Sequence, residues 1–319
     1  MAIKHHFIKK VEPPIHVKYK KITNDIYKKD RHLYVFYDDN GKMNIDIRIL
    51  MKVIIDKVKP KKNNNYSKNV KYTEEDFING IIEILGNSTY WSRYKGKVSG
   101  KYLNKIHNNY AKWGVYYFLW KIETMCYLEK DKYEKLHNQQ VDTTTSLNVY
   151  GSEMYGRNVK YKSKNGIKSS FINDAEGTPI SLAIASANEH DCTIAMEHIN
   201  TFIIDTNTKN VKNNNKYKQV LYADSQYYSK DFIEETTKMG YKTITDVNIR
   251  NTKDPIKLKK MKEDKKKYLK NAHKRAPIER FNGWMHKYPK LNRVVEKSVN
   301  SFLGLLLLGC ALIVNNKIR

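Results

Sequence analysis

Three acids in this 319-residue chain stand where side chains could do chemistry: Asp142, Asp224 and Glu279. Asp142 lies in Val141-Asp142-Thr143-Thr144-Thr145, a stretch otherwise made of β-branched residues. Asp is depleted in strands, so an acid in that setting needs a reason beyond local propensity. Asp224 closes the short apolar run Val220-Leu221-Tyr222-Ala223. Glu279 follows Arg275-Ala276-Pro277-Ile278, one turn into a helical pattern. An isolated Asp is most often a turn or cap residue. Two or three converged carboxylates in a basic protein have a different use. They bind Mg²⁺, with Mn²⁺ as the expected substitute, because such ions prefer hard oxygen ligands and keep water positions open for phosphate. Two such ions about 4 Å apart activate an attacking oxygen and stabilise the leaving oxygen of an in-line displacement.

The elements around these acids must bring them together. From residue 138 the chain reads as β. Gln140 to Tyr150 is rich in Val and Thr, and Ile167–Asn173 and Pro179–Ala185 flank a turn at Asp174-Ala175-Glu176-Gly177. Cys192–Ile204 reads as an amphipathic helix and Gln219–Ala223 as a strand. Phe232–Met239 reads as a helix closed by Gly240, and Tyr241–Val247 as another strand. Helices are expected over Ala276–His286 and roughly 298–316. Three strands followed by alternating helices and strands is the ribonuclease-H-like order. In such a sheet the strands holding Asp142 and Asp224 are neighbours, and the late helix can bring Glu279 to them.

Before that domain, residues 73–136 read as a helical region. Thr73-Glu74-Glu75-Asp76 supplies a hydroxyl cap with acids in the first turn. Phe77, Ile78, Ile81, Ile82 and Leu85 recur at helical spacing up to Gly86. Arg93, Lys95, Lys97, Lys101, Lys105 and Lys112 follow, interleaved with Tyr94, Tyr102, Tyr110 and Trp113 and with no acid among them. That mixture suits a DNA-backbone surface, and equally a solvated basic face over an aromatic core. In residues 1–56, Tyr34–Tyr37, Asp39-Asn40-Gly41 and the alternation Ile45, Ile47, Ile49 suggest a hairpin. Lys57 to Lys71, with six lysines and no acid, reads as a solvated linker, so residues 1–72 form a segment apart.

Composition narrows the class. Lys plus Arg is 59 against 33 Asp plus Glu, a net charge of +26, which favours a polyanionic partner even after discounting lysine that reflects an AT-rich genome. A 40% hydrophobic content supports a real core and excludes wholesale disorder. Cys126, Cys192 and Cys310 are far apart, so neither a zinc ribbon nor a disulfide framework is supported, and a reduced intracellular setting is expected. His190, Cys192 and His198 match no zinc spacing, and Asp191 reads as a helix N-cap. Met1 to Lys10 lacks the apolar core of a signal peptide. The apolar run Phe302 to Val314 falls short of the roughly 20 residues a bilayer needs and reads as a buried helix. A soluble protein with no membrane partner is therefore expected, cytoplasmic in a prokaryotic host.

Four segments resemble the DDE transposases of bacterial insertion sequences, specifically the insertion-sequence-five group, over about residues 73–316. They are Val141-Asp142-Thr143-Thr144 with Gly156-Arg157 and Ile167-Lys168; Asn173 to Pro179 with Asn188-Glu189-His190-Asp191; Tyr222-Ala223-Asp224-Ser225-Gln226-Tyr227-Tyr228-Ser229; and Arg275 with Ile278-Glu279-Arg280, Gly283-Trp284 and Leu291 to Glu296. The resemblance implies a helical DNA-binding region followed by a ribonuclease-H-like catalytic domain over 137–319. It implies that Asp142, Asp224 and Glu279 form the metal-binding and catalytic triad and that Arg275 contacts phosphate. Arg157, Lys168 and Lys287 join Arg275 as expected DNA contacts. Two positions depart from the related signature: the lysine seven residues after the glutamate is His286, with Lys287 beside it, and the tyrosine three before the arginine is Ala272.

Arg250 to Arg275, with 12 Lys or Arg against three acids, is a basic insert beside the Glu279 helix. Lys265, Lys266 and Lys267 are its expected contacts to the DNA backbone, the other reading being a solvated Lys-rich loop. The function expected is a transposase that binds the terminal inverted repeats of its own element, cuts there by metal-dependent hydrolysis and joins the end to target DNA by transesterification. Bringing two ends of double-stranded DNA together calls for a homodimer or a higher oligomer. The alternatives are a domesticated, non-catalytic DNA-binding protein and a metal-dependent nuclease of the same fold.

Overall fold

The computed structural model describes residues 8–14, 18–60, 71–87, 90–129, 134–148, 153, 156–158, 164–203, 219–250 and 252–319. The strands are β1 (Ile8–Lys10), β2 (Val35–Tyr37), β3 (Met43–Ile45), β4 (Asn138–Asn148), β5 (Gly156–Asn158), β6 (Lys164–Asn173), β7 (Pro179–Ser186), β8 (Gln219–Ala223), β9 (Tyr241–Thr245) and β10 (Arg293–Val294). The helices are α1 (Tyr19–Asn24), α2 (Arg31–Tyr34), α3 (Ile47–Val58), α4 (Glu74–Gly86), α5 (Gly100–Trp113), α6 (Val115–Glu129), α7 (Asp191–His198), α8 (Lys230–Lys238), α9 (Pro255–Leu269), α10 (Ala276–His286), α11 (Pro289–Asn292) and α12 (Val299–Ile318). They fall into two compact units: one from the described residues within Met1–Val11, Leu128–Thr145 and Tyr155–Trp284, the other from those within Glu12–Tyr127, Ser146–Met154 and Met285–Arg319.

The first unit is built on a mixed sheet in the order β1-β7-β6-β4-β8-β9, with β5 on β6. β6 and β7 are antiparallel, whereas β4, β8 and β9 run parallel. This mixed α/β sheet flanked by helices is the ribonuclease-H-like class that the element order implies. β7 is buried along its whole length, and β1 covers its outer edge with Ile8 against Ala183 and Ala185. Successive residues of β6 point to opposite sides. On one side Ser170 meets His198 of α7, and on the other Phe171 packs edge-on against Phe281 of α10 at 4.8 Å. Helices therefore cover both faces. In the β6–β7 turn Gly177 has φ +81°, and a Cβ there would lie 2.4 Å from the carbonyl oxygen of Pro277. Only glycine lets the hairpin tip approach the first turn of α10 this closely.

The second unit is helical. The cap of α4 is a full capping box: Thr73 Oγ1 accepts from Asp76 N–H, and the Asp76 carboxylate accepts from Thr73 N–H. On α5 one face buries Leu103, His107 and Tyr110, while Lys101, Lys105 and Lys112 are exposed, so the lysines and the core occupy different faces of one helix. α12 is almost entirely buried, and its Gly304 lets Ala111 approach within 3.0 Å of where a Cβ would be. A polar set is buried beside it. Glu296 Oε1 accepts from Trp91 Nε1 at 2.9 Å and pairs with Lys290 Nζ at 3.2 Å, with both ionic side chains buried.

Two expectations need correction. Ile47 and Ile49 do not extend the hairpin, which stops at Ile45; Asp46 caps α3 by accepting from Arg48 and Ile49 N–H, and Leu50, Met51, Ile54, Ile55 and Val58 then fill a helical stripe. The basic stretch after residue 250 is not a loop but α9, started by Asp254 as cap and Pro255 in the first turn. The C-terminal helix, expected over roughly 298–316, runs Val299–Ile318 and so extends past the apolar run at both ends. By length and composition it could cross a membrane, and here it is a core helix. The linker expected over residues 57–71 lies largely outside the described residues.

His198 gives the first unit a measurable pH dependence. Its Nδ1 meets Ser181 Oγ at 2.9 Å and its Nε2 meets Ser170 Oγ at 3.0 Å, and burial pushes its pKa down to about 3. A histidine whose folded-state pKa is depressed binds its proton more readily when unfolded. Stability should fall as pH drops below about 6.5, by up to about 1.4 kcal/mol per pH unit from this group. In urea titrations between pH 7 and 5, His198→Gln should show a shallower loss than wild type. Identical slopes would mean that His198 takes up its proton in the folded protein as easily as in the unfolded chain.

Candidate active site

The β4–β8 pairing aligns Asn138 with Val220, Gln139 with Leu221 and Gln140 with Tyr222. The same offset carries Asp142 opposite Asp224, two residues beyond the last pair. Side chains at equal steps along neighbouring parallel strands share a face. The two acids are thus brought abreast by backbone register.

Asp142 is mostly buried. Its Oδ1 accepts from Thr143 N–H at 2.9 Å, and its Oδ2 faces Arg275 Nη2 at 3.4 Å and accepts from Asn282 Nδ2 at 3.2 Å. Burial raises its pKa to about 6; the Arg275 charge and the Thr143 N–H oppose the shift, and Asp224 and Asp191 add to it. Asp224 caps the turn Ser225–Tyr227 by accepting from Gln226 N–H at 2.8 Å. That turn is pinned to β4, since the Tyr227 hydroxyl and Thr143 Oγ1 share a hydrogen bond of 2.9 Å. Arg275 ends the short turn Ala272–Arg275 just ahead of α10, which leaves Pro277 in the first helical turn. Arg275 is 8% exposed and its Nε has no hydrogen-bond partner. Glu279 is exposed on α10, three residues before Asn282 and so on the same side of the helix.

Among the described residues no three His, Cys, Asp or Glu side chains are gathered closely enough to hold an ion. The donor chemistry nevertheless fits a divalent cation: two hard carboxylates stand abreast, and one is desolvated and raised toward neutrality, which a cation would relieve. His198 is taken up by its two serines, consistent with the reading of His190, Cys192 and His198 as no zinc site.

The expected DNA contacts divide. Arg157, Lys266 and Lys287 are exposed. Lys168 is turned inward, with its Nζ 2.7 Å from Asp191 Oδ1 and 2.6 Å from the Glu189 carbonyl. Lys265 pairs with Asp246 at 2.9 Å and Lys267 with Asp264 at 3.2 Å. His286, at the position of the signature's lysine, bonds Asn292 Oδ1 through Nδ1. Asp191 is not the cap of α7; that position is His190, and the Asp191 side chain is drawn to Lys168 instead. Two participants went unnoticed in the sequence. Asn282 could have been found from its spacing of three after Glu279. Asp191 could have been found only by knowing that β6 places Lys168 against it.

Residues 136–314 match the transposase DDE domain family, which is more than half of the chain. The chain belongs to that family. No curated protein and no solved structure matches it. As a DDE transposase it is a DNA-binding protein of mobile-element recombination, from a family that works with divalent metal. The matched span begins just before β4 and runs through Asp142, Asp224 and Glu279, ending inside α12.

The Lys168–Asp191 pair is a structural claim that binding data can separate from a DNA contact. Both side chains are largely buried, and breaking such a pair leaves an uncompensated charge costing about 3 kcal/mol. Lys168→Met should lower stability by roughly that amount. It should leave the salt dependence of DNA binding unchanged in the folded fraction. A flattened salt slope with unchanged stability would make Lys168 a phosphate contact instead.

Proposed function

We propose that this transposase is of the insertion-sequence-five group and cuts and joins DNA at the terminal inverted repeats of its own element. The observation that supports this most is the register that sets Asp142 and Asp224 abreast within the span matching the DDE domain. Asp142, Asp224 and Glu279 would hold Mg²⁺, or Mn²⁺ in its place. When bound, such ions polarise the scissile phosphate and lower the barrier to attack at phosphorus. Water adds to phosphorus as the P–O3′ bond breaks, leaving a 3′-hydroxyl on the element end. That hydroxyl then attacks a target phosphorus as the target's own P–O3′ bond breaks, releasing a target 3′-hydroxyl, and no side chain becomes bonded to DNA.

The chain's own residues bind and orient. Asn282 donates to Asp142 and fixes the rotation of its carboxylate. Arg275, already held against Asp142, presents a planar fork suited to two phosphate oxygens. The exposed lysines of α5 and the arginine and lysines around the site supply backbone contacts that position the duplex without reading its sequence. Residues 73–136 act as the DNA-binding region ahead of the catalytic domain, and two ends are held by a dimer or a larger assembly.

Asp142→Asn, Asp224→Asn and Glu279→Gln should each abolish divalent-dependent cleavage while far-ultraviolet spectra and melting stay near wild type. The amide of Asn keeps an acceptor for Arg275 and Asn282, and removing one of several like charges does not destabilise the cluster. Double mutants should be no worse than singles, because the acids act as one unit. An acid whose mutant retains near wild-type cleavage has no place in the mechanism.

Arg275→Lys keeps the charge and loses the fork. Cleavage should fall markedly, with divalent-ion affinity retained, whereas Glu279→Gln should lose both. If Arg275→Lys instead lowers the melting temperature by several degrees and spares cleavage in the folded fraction, Arg275 serves only to neutralise Asp142.

A further inference from the structure

Beside the acids, within the same unit, lies a groove of about 940 Å³ formed between α8, the edge strand β9 and α9. It opens at Ser225 and Tyr228, immediately after Asp224, and continues past Thr243 and Thr245 to Asn271. Six lysines line it, Lys230, Lys242, Lys257, Lys260, Lys267 and Lys270, against only two acids, Glu234 and Asp264. Those acids are matched to Lys230 and Lys267. The other four cations form no ion pair with a described acid. Hydroxyl and amide donors fill the spaces between them, and Tyr228 stands at the inner end with its hydroxyl 3.3 Å from Asp264 Oδ2.

We infer that this groove takes the sugar-phosphate backbone of one DNA strand running away from the acids, at a place separate from the phosphate under attack. The inference rests on the transposase reading above for the identity of its polyanion. Four observations favour it. On α9 the spacing of Lys257, Lys260, Asp264 and Lys267 by three, four and three residues puts them on one helical face, the face that lines the groove. From Lys257 to Lys270 the helix and its end extend about 20 Å, over which one DNA strand presents about six phosphates. Hydroxyls and an aromatic ring among the lysines are what a strand with its sugars and bases can use. A volume of about 940 Å³ spread along that length, between two helices, has room for one strand and not for the full width of a duplex.

This separates the lysines of the basic helix by role. Lys259, Lys262 and Lys266 are exposed on the opposite face of α9, and Lys265 is turned onto Asp246. Of the charge run that stands out in the sequence, Lys265 to Lys267, only Lys267 lines the groove.

The test is DNA binding by the full chain without divalent ions, so that cleavage plays no part. The probe is a short duplex carrying a single-stranded tail, unrelated to any element end, with affinity measured across a series of salt concentrations. Each lost phosphate contact removes about 0.7 from the salt slope on a single strand and about 0.9 on a duplex. The triple mutant Lys257→Ala, Lys260→Ala, Lys270→Ala should flatten the slope by about two units. The charge-matched triple Lys259→Ala, Lys262→Ala, Lys266→Ala should change it by less than one, and arginine at the three groove positions should restore the wild-type slope. Equal flattening in both triples, or no flattening in the first, overturns the groove. Because no step of the chemistry is measured, a failed cleavage experiment on the three acids would leave this result standing, and the reverse also holds.

Discussion

The site depends on one pairing, the parallel alignment of β4 with β8. Two carboxylates at the same level on adjacent strands repel each other, and nothing in their own chemistry would bring them together. The hydrogen-bonded ladder does so, because the offset set at Asn138 and Val220 holds through Gln140 and Tyr222, two residues short of the acids. A slip of one residue would turn Asp142 to the other face and dissolve the site. The register is defended on several sides. β8 is held between β4 and β9, and the Tyr227 hydroxyl ties the Asp224 turn back to Thr143. The thiol of Cys192 donates to the Gln226 carbonyl, which anchors the same turn to the start of α7.

Burial of Asp142 is the counterpart of that constraint. Desolvation outweighs the nearby Arg275 charge, so the carboxylate rests partly toward its neutral form. Arg275 is itself poorly satisfied, with a buried Nε that no acceptor meets. A half-matched acid and a half-matched guanidinium side by side form an arrangement that a stability argument alone would not favour. Each has unused capacity, the acid for a cation and the guanidinium for phosphate oxygens. The tip of the β6–β7 hairpin contributes at a distance, because Gly177 against Pro277 sets where α10 begins and therefore where Asn282 and Glu279 fall.

Much of this was legible in the sequence because the responsible signals are local. An acid among β-branched residues marked β4, Gly240 and Gly177 marked the ends of elements, and Pro277 placed the start of α10. Thr73 and Asp76 announced a capping box that the structure contains. What was missed depends on contacts between distant segments. The alternation of Ile45, Ile47 and Ile49 mimics a strand, and only the Asp46 cap and the apolar stripe beyond it reveal a helix. Asp191 has the composition of a cap, but Lys168 from another element claims its carboxylate. Lysine is also uninformative by count: Lys168, Lys265 and Lys290 are all drawn to acids inside the fold, and no composition distinguishes them from the lysines left facing solvent.

That sorting of lysines bears on how a cluster of acids can work on a polyanion at all. Carboxylates repel phosphate, so a site built from them needs positive charge close by but not in contact, or the acids would be neutralised before any cation or DNA arrived. In this protein two lysines of the unit that holds Asp142 and Asp224 are committed to other acids: Lys168 to Asp191 and Lys265 to Asp246. Among the described cations only Arg275 pairs with Asp142, through Nη2 at 3.4 Å. Within the same unit, Lys242 of β9 and Lys257, Lys260 and Lys270 on α9 and at its end form no ion pair with a described acid. The chain's surplus of +26 is therefore not spread evenly over its surface. Within the unit that holds the acids, part of it lies along a groove that starts where Asp224 ends, so that in the proposed complex attraction for a strand and repulsion at the reacting phosphate act on different parts of the same DNA.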